Sequence, residues 1–380
     1  MSDISRAAAR LFSDAADAVE SGKVVNHTQI AVTGLGGEFG EEVVAGACQI
    51  AVSKGYGIHY LGSMTVPGAE NIKCTDKAQC SEQMANLLAS GVCGAAVTMN
   101  HAFPIGTATV GRIAAPSRGK EMFIATTTGT PSPDRVESLV LGALYGIIAA
   151  KSCGFDSPAV GILNIDGAHR AESCLRKLRD GGFPIEFADS ARADGGVVMR
   201  GNDALLGTAD VLVCDPLTGN VLMKMMSAFN SGGDRECFGY GYGPGIGKDA
   251  RSPVMIVSRA SDTPVILNAI VYASDVSAGN ICSITKSVLS LADKCGLHDI
   301  MNTSRGADTE KNTGIEIPER EPVTESITGI EIMDIEEATR ILWKNGIYAQ
   351  SGMGCTGPVV IVSTVNLTRS MELLRNAQYI

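Results

Sequence analysis

The segment ADVLVCDPLTGNVLMK, Ala209 to Lys224, decides the fold class. It reads as a buried strand that ends at Asp215, turns through Pro216 and opens a helix with Thr218, Gly219 and Asn220. Lys224 stands one i,i+4 step beyond Asn220. Such a turn gathers backbone N–H groups, a hydroxyl and an ammonium, a set suited to an anion. A capped helix with a solvent-facing lysine is the plainer alternative.

The same alternation continues on both sides. Toward the N-terminus, TQIAVTG (Thr28 to Gly34), GIHYLG and AAVTMN read as strands, separated by the helices EEVVAGACQIAVSKG and DKAQCSEQMANLLASG. PSPDRVESLVLGALYGIIAAKSCG reads as a helix capped by Ser132, with Pro133 at its first position and Asp134 complementing the dipole. PAVGILNI, PIEFAD and PVMIVS read as further strands, AHRAESCLRKLRDGG and SITKSVLSLADKCG as further helices. Strands separated by helices of this length predict an α/β fold: a doubly wound, mostly parallel sheet with Rossmann-like layers and helices on both faces. Ligands bind such sheets beyond the carboxyl ends of the strands, which here carry GLGGEFG, NHAFPIG, NIDGAH and DPLTGN.

Four segments are expected. Residues 1–27 hold a helix from about Ile4 to Glu20, and 28–297 form the α/β domain. The polar, weakly patterned 298–328 reads as a surface loop or insert. Residues 329–380 form a C-terminal extension with the helix DIEEATRILWKNG, a cysteine loop, the strand PVVIVS and a last helix from about Leu367.

The 380 residues are 45% hydrophobic and 19% charged, ample for a sizeable core. A net charge of −10 argues against an extended nucleic-acid surface, though not against one small anion pocket. MSDISRAAARLF has no apolar signal core, and SLVLGALYGIIAA is too short to span a bilayer, so a cytoplasmic protein with no membrane partner is expected. With no Cys-x-x-Cys pair and no His cluster among 11 cysteines, no metal or other cofactor is expected. Cys48, Cys93, Cys153, Cys174, Cys214 and Cys282 sit in small or apolar surroundings and read as small hydrophobes.

Four features bear on chemistry. TGLGGEFG follows a strand and opens a helix, so Gly36 and Gly37 offer a phosphate or acyl-phosphate turn; a dinucleotide turn and a merely tight turn are the alternatives. Asn100 and His101 place an amide and an imidazole at a strand end, as oxyanion donor, general base or plain structural groups. GGDRECFGYGYGPGIG reads as a glycine–aromatic loop acting as lid or wall, with Cys237 a second candidate thiol beside Asp234 and Glu236. In SGMGCTGPVVIVS, Cys355 lies between Gly354 and Gly357 and beside Thr356. Close backbone approach, neighbouring N–H groups and the absence of any acid within ten residues suit a thiol nucleophile; a packed turn cysteine is the alternative.

From Thr28 to about Ala273 the chain resembles the phosphate acyltransferase family of phospholipid synthesis. The likeness is carried by IAVTGLGGEFGEEVVAGA, AAVTMN, VGILNIDG and ADVLVCDPLTGNVLMK. Thr33 stands where that family has an acid, NHAFPIG replaces its Gly-Asn-Thr-Gly, and the family lacks the tail with Cys355. The whole chain is more similar to the family of component C alpha subunits of glycine, sarcosine and betaine reductase complexes, which bear a GMGCTGP cysteine. That resemblance implies an acetyl phosphate-forming acyltransferase. A carboxymethyl group on selenoprotein A becomes an acetyl thioester on component C, and inorganic phosphate releases acetyl phosphate. Cys355 matches the thiol of this transfer. The expected partners are the component C beta subunit, selenoprotein A and phosphate, with Thr218, Gly219, Asn220 and Lys224 chosen for the phosphate. A stand-alone phosphate acyltransferase acting on acyl carrier protein, or a non-catalytic scaffold subunit, are the other readings.

Overall fold

In a computed structural model, which describes residues 28–193, 195–303, 317–321, 323–330, 335–354 and 357–377 with Phe12, Tyr379 and Ile380, the apolar runs become the strands of one large sheet. The chain divides into two compact units, Met1–Asn302 and Thr303–Ile380. The helix expected between Ile4 and Glu20 lies outside the described residues, save Phe12.

The first unit runs β1 (Ile30–Thr33), α1 (Glu41–Ser53), β2 (Ile58–Gly62), β3 (Glu70–Lys73), α2 (Lys77–Ala89), β4 (Ala95–Thr98), β5 (Thr107–Ala114), β6 (Glu121–Thr130), α3 (Arg135–Ser152), β7 (Ala159–Leu163), α4 (Ala168–Asp180), β8 (Glu186–Phe187), β9 (Val198–Met199), α5 (Gly201–Leu206) and β10 (Val211–Val213). It continues with α6 (Pro216–Ala228), β11 (Gly243–Gly247), β12 (Val254–Ile256), α7 (Thr263–Ala278) and α8 (Ile281–Lys294). The sheet order is β3-β2-β1-β4-β12-β11-β5-β6-β10-β7-β8, with β9 also on β7. Pairing is parallel except where β11 meets β12 and β5, and where β5 meets β6.

Alternate strand residues feed opposite faces, as strand geometry requires. Ile30 and Val32 of β1 join the core under α1, α3 and α7, whereas Ala31 joins Cys80 and Met84 of α2. Phe123 and Ala125 of β6 turn the first way, and Met122 and Ile124 turn toward Met223 of α6. Helices therefore cover both faces, and the α/β, doubly wound, mostly parallel expectation holds. Buried cysteines serve as apolar filler: burial pushes the Cys48 thiol up to about 12 and Cys93 up to about 11.

Three differences from the sequence reading have physical causes. α3 begins at Arg135, not at Pro133, because the Asp134 carboxylate accepts the Glu137 N–H at 2.7 Å while the Ser132 hydroxyl donates to the Glu137 side chain. The segment GGDRECFGYGYGPGIG is not a loop throughout, since its end forms β11 inside the sheet. α7 was not separated from its surroundings because it is apolar nearly all round, with Val265, Ile266, Ile270 and Tyr272 all buried. Among the described residues no single helix is long and apolar enough to cross a membrane.

In the second unit, β13 (Glu325–Ile327), β15 (Gly357–Val362) and β14 (Ala349–Gly354) form an antiparallel sheet in that order. With α9 (Ile335–Lys344) and α10 (Leu367–Asn376) it encloses Ile327, Leu342, Val360, Val362 and Leu374. β13 lies within the segment read as a polar loop.

Candidate functional site

The chain leaves β1 for β2 and β3 on one side and returns to β4 on the other, so the carboxyl ends of β1 and β4 flank a topological switch point. Thr33 and Thr98 join beneath it, hydroxyl to hydroxyl at 2.9 Å. Gly36, in the loop after β1, has φ of +122°, and a side chain there would meet Asn100 Nδ2 at 2.4 Å. Glycine is therefore what lets the Asn100 amide lie against the loop. Gly37 lies beside Met99.

The segment after β12 closes the same end. Glu38 N–H donates to the Arg259 carbonyl at 2.8 Å, and the Arg259 guanidinium stands 3.8 Å from the Glu38 carboxylate. Lys224 Nζ reaches Ser258 Oγ at 3.4 Å and Glu236 Oε1 at 3.3 Å. Glu236 is buried, and the Tyr242 hydroxyl donates to the same oxygen at 3.1 Å. Its Oε2 has no hydrogen-bond partner among the described residues. Arg235 lies 3.4 Å from the Asp262 carboxylate and over the Phe39 ring at 4.4 Å. Three partly exposed cations, Lys224, Arg235 and Arg259, thus stand on segments that meet around the switch point, each held by a carboxylate. A mobile anion competes well for Arg235 and Arg259, because exposed ion pairs are individually weak, whereas Lys224 keeps a buried carboxylate partner and offers its exposed side.

Gly36, Gly37 and Asn100 thus lie together, and Lys224 is linked to them only indirectly, through Ser258, its chain neighbour Arg259 and Glu38 beside Gly37. Thr218, Gly219 and Asn220 have other engagements. The Thr218 hydroxyl donates to the Asp215 carboxylate, which also accepts the N–H groups of Leu217 and Thr218 at 3.0 Å. A side chain at Gly219 would fall 1.9 Å from the Thr126 carbonyl, and the Asn220 amide donates to the Thr127 carbonyl at 3.3 Å. Gly219 and Asn220 pin α6 to β6, and Thr218 secures the capped start of the helix. His101 is exposed and stands edge-on to Phe103 at 4.7 Å, and partial shielding from water lowers its pKa below the ordinary imidazole value. Cys355 and Thr356 lie outside the described residues; Gly354 and Gly357 on either side of them are paired between β14 and β15.

Ser258, Arg259 and Glu236 were missed in the sequence. The available signal was the strand PVMIV running straight into Ser-Arg, the same strand-end position that drew attention to Asn100.

The start of α1, where the loop after β1 ends, is tied to β2 and the loop that follows it. The Glu41 carboxylate accepts the Tyr60 hydroxyl at 2.8 Å, Ser63 N–H at 2.6 Å, Met64 N–H at 3.0 Å and the Ser63 hydroxyl. Burial alone would raise its pKa, but the Ser63 hydroxyl, Met64 N–H, Tyr60 hydroxyl and Ser63 N–H outweigh burial and hold it below the ordinary glutamate value. A depressed pKa stabilises the fold above the unfolded value of about 4.3 and ceases to do so as pH falls through the folded one. Glu41→Gln is expected to cost about 1.5–3 kcal/mol near neutrality and to flatten the acid side of the stability profile below about pH 4. Urea unfolding at a series of pH values reads both effects; an acid limb identical to that of the unsubstituted protein would refute the assignment.

A family profile described as "Fatty acid synthesis protein" matches residues 28–361, which takes in the switch-point loops, Lys224 and the Cys355 segment. The chain belongs to the fatty acid synthesis protein family. Among relatives of this family member, the glycine/sarcosine/betaine reductase complex component C subunit alpha of Peptoclostridium acidaminophilum is 44% identical over 383 residues, 99% of either chain. A phosphate acyltransferase of Brevibacillus brevis is 38% identical over 89 residues, 23% of this chain and 24% of its own. In solved structures, a branched-chain phosphotransacylase from Enterococcus faecalis V583 aligns at a TM-score of 0.48 and 16% identity, over 65% of this fatty acid synthesis family chain and 99% of its own.

Proposed function

We propose that this protein is an acyltransferase subunit of a multi-subunit reductase complex, passing an acetyl group from a thioester to inorganic phosphate. The observation that carries the reading is the link from Lys224 through Ser258 and Arg259 to Glu38, which follows the Gly36–Gly37 turn against which Asn100 lies, in a chain similar to a component C alpha subunit over 99% of its length. Phosphate must bring its charge to a carbonyl carbon, and neutralising cations beside backbone and amide donors lower that barrier.

In this reading Lys224 and Arg259 hold the phosphate with Ser258, and the Asn100 amide with the Gly36–Gly37 backbone takes the carbonyl oxygen as charge develops on it. Thr218, Gly219 and Asn220 aim Lys224 by fixing α6. Cys355 carries the acetyl group as a thioester. A phosphate oxygen adds to the thioester carbon, the C–S bond breaks with its electron pair going to sulfur, and acetyl phosphate leaves with Cys355 as thiolate. The acetyl group derives from a carboxymethyl group on selenoprotein A, delivered with the component C beta subunit. The C–Se bond breaks, and the methylene carbon becomes methyl by taking a proton and the two electrons given up as the selenium and a thiol of selenoprotein A join in a Se–S bond. The carboxyl loses one oxygen as water when the Cys355 thioester forms.

The test is to incubate the purified protein with acetyl phosphate and map its peptides by mass. An acetyl group is expected on the Cys355 peptide and is expected to vanish, together with arsenate-dependent breakdown of acetyl phosphate, in Cys355→Ala. Unlabelled Cys355, or unchanged arsenolysis in the variant, would remove the thioester from the reading. Turnover of long acyl groups on acyl carrier protein would favour a stand-alone acyltransferase instead.

A further inference from the structure

Lys77 stands at the switch point, unused by the fold and by the site described so far. It is the first residue of α2, and its side chain reaches over the loop after β1. A methyl group on Gly36 would lie 3.4 Å from Lys77 Cε and 2.4 Å from Asn100 Nδ2. The end of the lysine side chain and the Asn100 amide therefore flank the same patch of loop backbone. The charge of Lys77 is uncompensated. The residue is exposed, and its ammonium has no hydrogen bond or ion pair among the described residues, whereas Lys224, Arg235 and Arg259 are each held by a carboxylate. An acid pairs with a helical lysine from positions three or four residues on, and here those are the buried Cys80 and Ser81, whose hydroxyl donates to the Lys77 carbonyl at 3.0 Å. Asp76, next in the chain, is spent on capping α2, where it accepts the Gln79 N–H at 2.9 Å. The free N–H groups of a first helical turn already carry partial positive charge, so a cation there works against the dipole. A lysine set against the dipole, without a partner and beside an amide at a strand end, is a feature that stability does not explain.

We propose that Lys77 is a further catalytic residue, whose ammonium meets the carbonyl oxygen of the acyl group beside the Asn100 amide. It takes this role only if the chain transfers acyl groups as proposed above. When a phosphate oxygen adds to the thioester carbon, the carbonyl π pair moves onto oxygen, and it returns when the C–S bond breaks. Lys77 stays an ammonium through both events and gives up no proton; it offsets the charge that exists between them. The loop after β1 divides the work. Lys77 and Asn100 meet it at Gly36, and Arg259 meets it at Glu38, so the carbonyl oxygen and the phosphate each have a cation of their own.

The test is arsenolysis of acetyl phosphate by the full chain at varied arsenate, which stands in for phosphate, in the unsubstituted protein, Lys77→Met and Lys77→Arg. Lys77→Met is expected to lower kcat about 10²-fold and to leave KM for arsenate unchanged, because the contact forms only as charge develops on oxygen. Lys77→Arg restores the charge and is expected to recover most of the rate. The melting temperature of Lys77→Met should stay level or rise slightly, since a cation leaves the helix start, so the lost rate is not lost folding. Turnover of Lys77→Met within about threefold of the unsubstituted chain overturns the role of Lys77 while leaving acyl transfer itself standing. A raised KM with kcat spared moves Lys77 to the phosphate and overturns its assignment to the carbonyl oxygen, and an arginine variant as slow as the methionine one shows that charge is not what Lys77 supplies. If the unsubstituted chain performs no arsenolysis, the acyl-transfer reading fails and the role of Lys77 falls with it.

Discussion

Replacing Lys224 with methionine is expected to lower phosphate-dependent acyl exchange by about 10²–10³-fold, the loss typical when one preorganised electrostatic donor is removed from a reacting centre. Methionine keeps most of the length and apolar stem of lysine and deletes the ammonium alone. The loss should be largest at low phosphate. If Lys224 holds phosphate equally in the bound and reacting states, KM for phosphate rises and kcat is spared; if its contact strengthens as the new bond forms, kcat falls. Glu236 loses the cation 3.3 Å from Oε1 and keeps the Tyr242 hydroxyl, so a small drop in melting temperature accompanies the change. Turnover within threefold of the unsubstituted enzyme at every phosphate concentration would remove Lys224 from the site. Thr218→Ala makes the contrast: its hydroxyl is spent on the Asp215 carboxylate, so it should affect the stability of the α6 start more than phosphate dependence.

The α/β frame was legible because its buried parallel strands are short apolar runs, such as Ile30–Thr33 and Val211–Val213, and helices lie between most of them. The β5–β6 hairpin was not, because its interior is threonine-rich. Thr109 and Thr127 are buried, and their hydroxyls pair at 2.7 Å, so these polar residues satisfy one another inside the core. The site divides in the same way. Gly36, Gly37 and Asn100 stand at the ends of recognisable strands, and Lys224 lies at a fixed step along a recognisable helix. Ser258 and Arg259 were hidden in a segment that also starts α7, where Asp262 accepts the Thr263 N–H at 2.7 Å. Glu236 looked like a surface neighbour of Cys237, and only the chain pairing of Glu236 with Ser261 carries it inward beneath Lys224. Contacts of that kind join residues far apart in sequence and leave no local pattern.

The largest stability effect is expected away from the site, at Arg112. This side chain is buried on β5, with one guanidinium nitrogen 2.7 Å from Glu121 of β6 and another 2.8 Å from Asp275 of α7. Its planar face lies 4.3 Å from the Tyr240 ring centre, and the Tyr240 hydroxyl donates to Glu121 at 3.2 Å. One cation thus ties the hairpin, the helix behind the sheet and the glycine–aromatic segment together. Arg112→Ala leaves Glu121 and Asp275 without the charge between them, in a place where water replaces it poorly. The expected loss is about 3–5 kcal/mol, which for a unit of this size lowers the melting temperature on the order of 10 °C. Arg112→Lys should recover little, because a single ammonium reproduces neither the fork that reaches both carboxylates nor the flat face over Tyr240. Replacing all three charges together, Arg112→Met with Glu121→Leu and Asp275→Leu, should regain most of the stability, since paired burial of ions contributes less than breaking the pair costs. Thermal melts of the three variants decide the matter. A single alanine variant within 1 °C of the unsubstituted protein, or a triple variant as unstable as the single one, would show that packing rather than charge holds this junction.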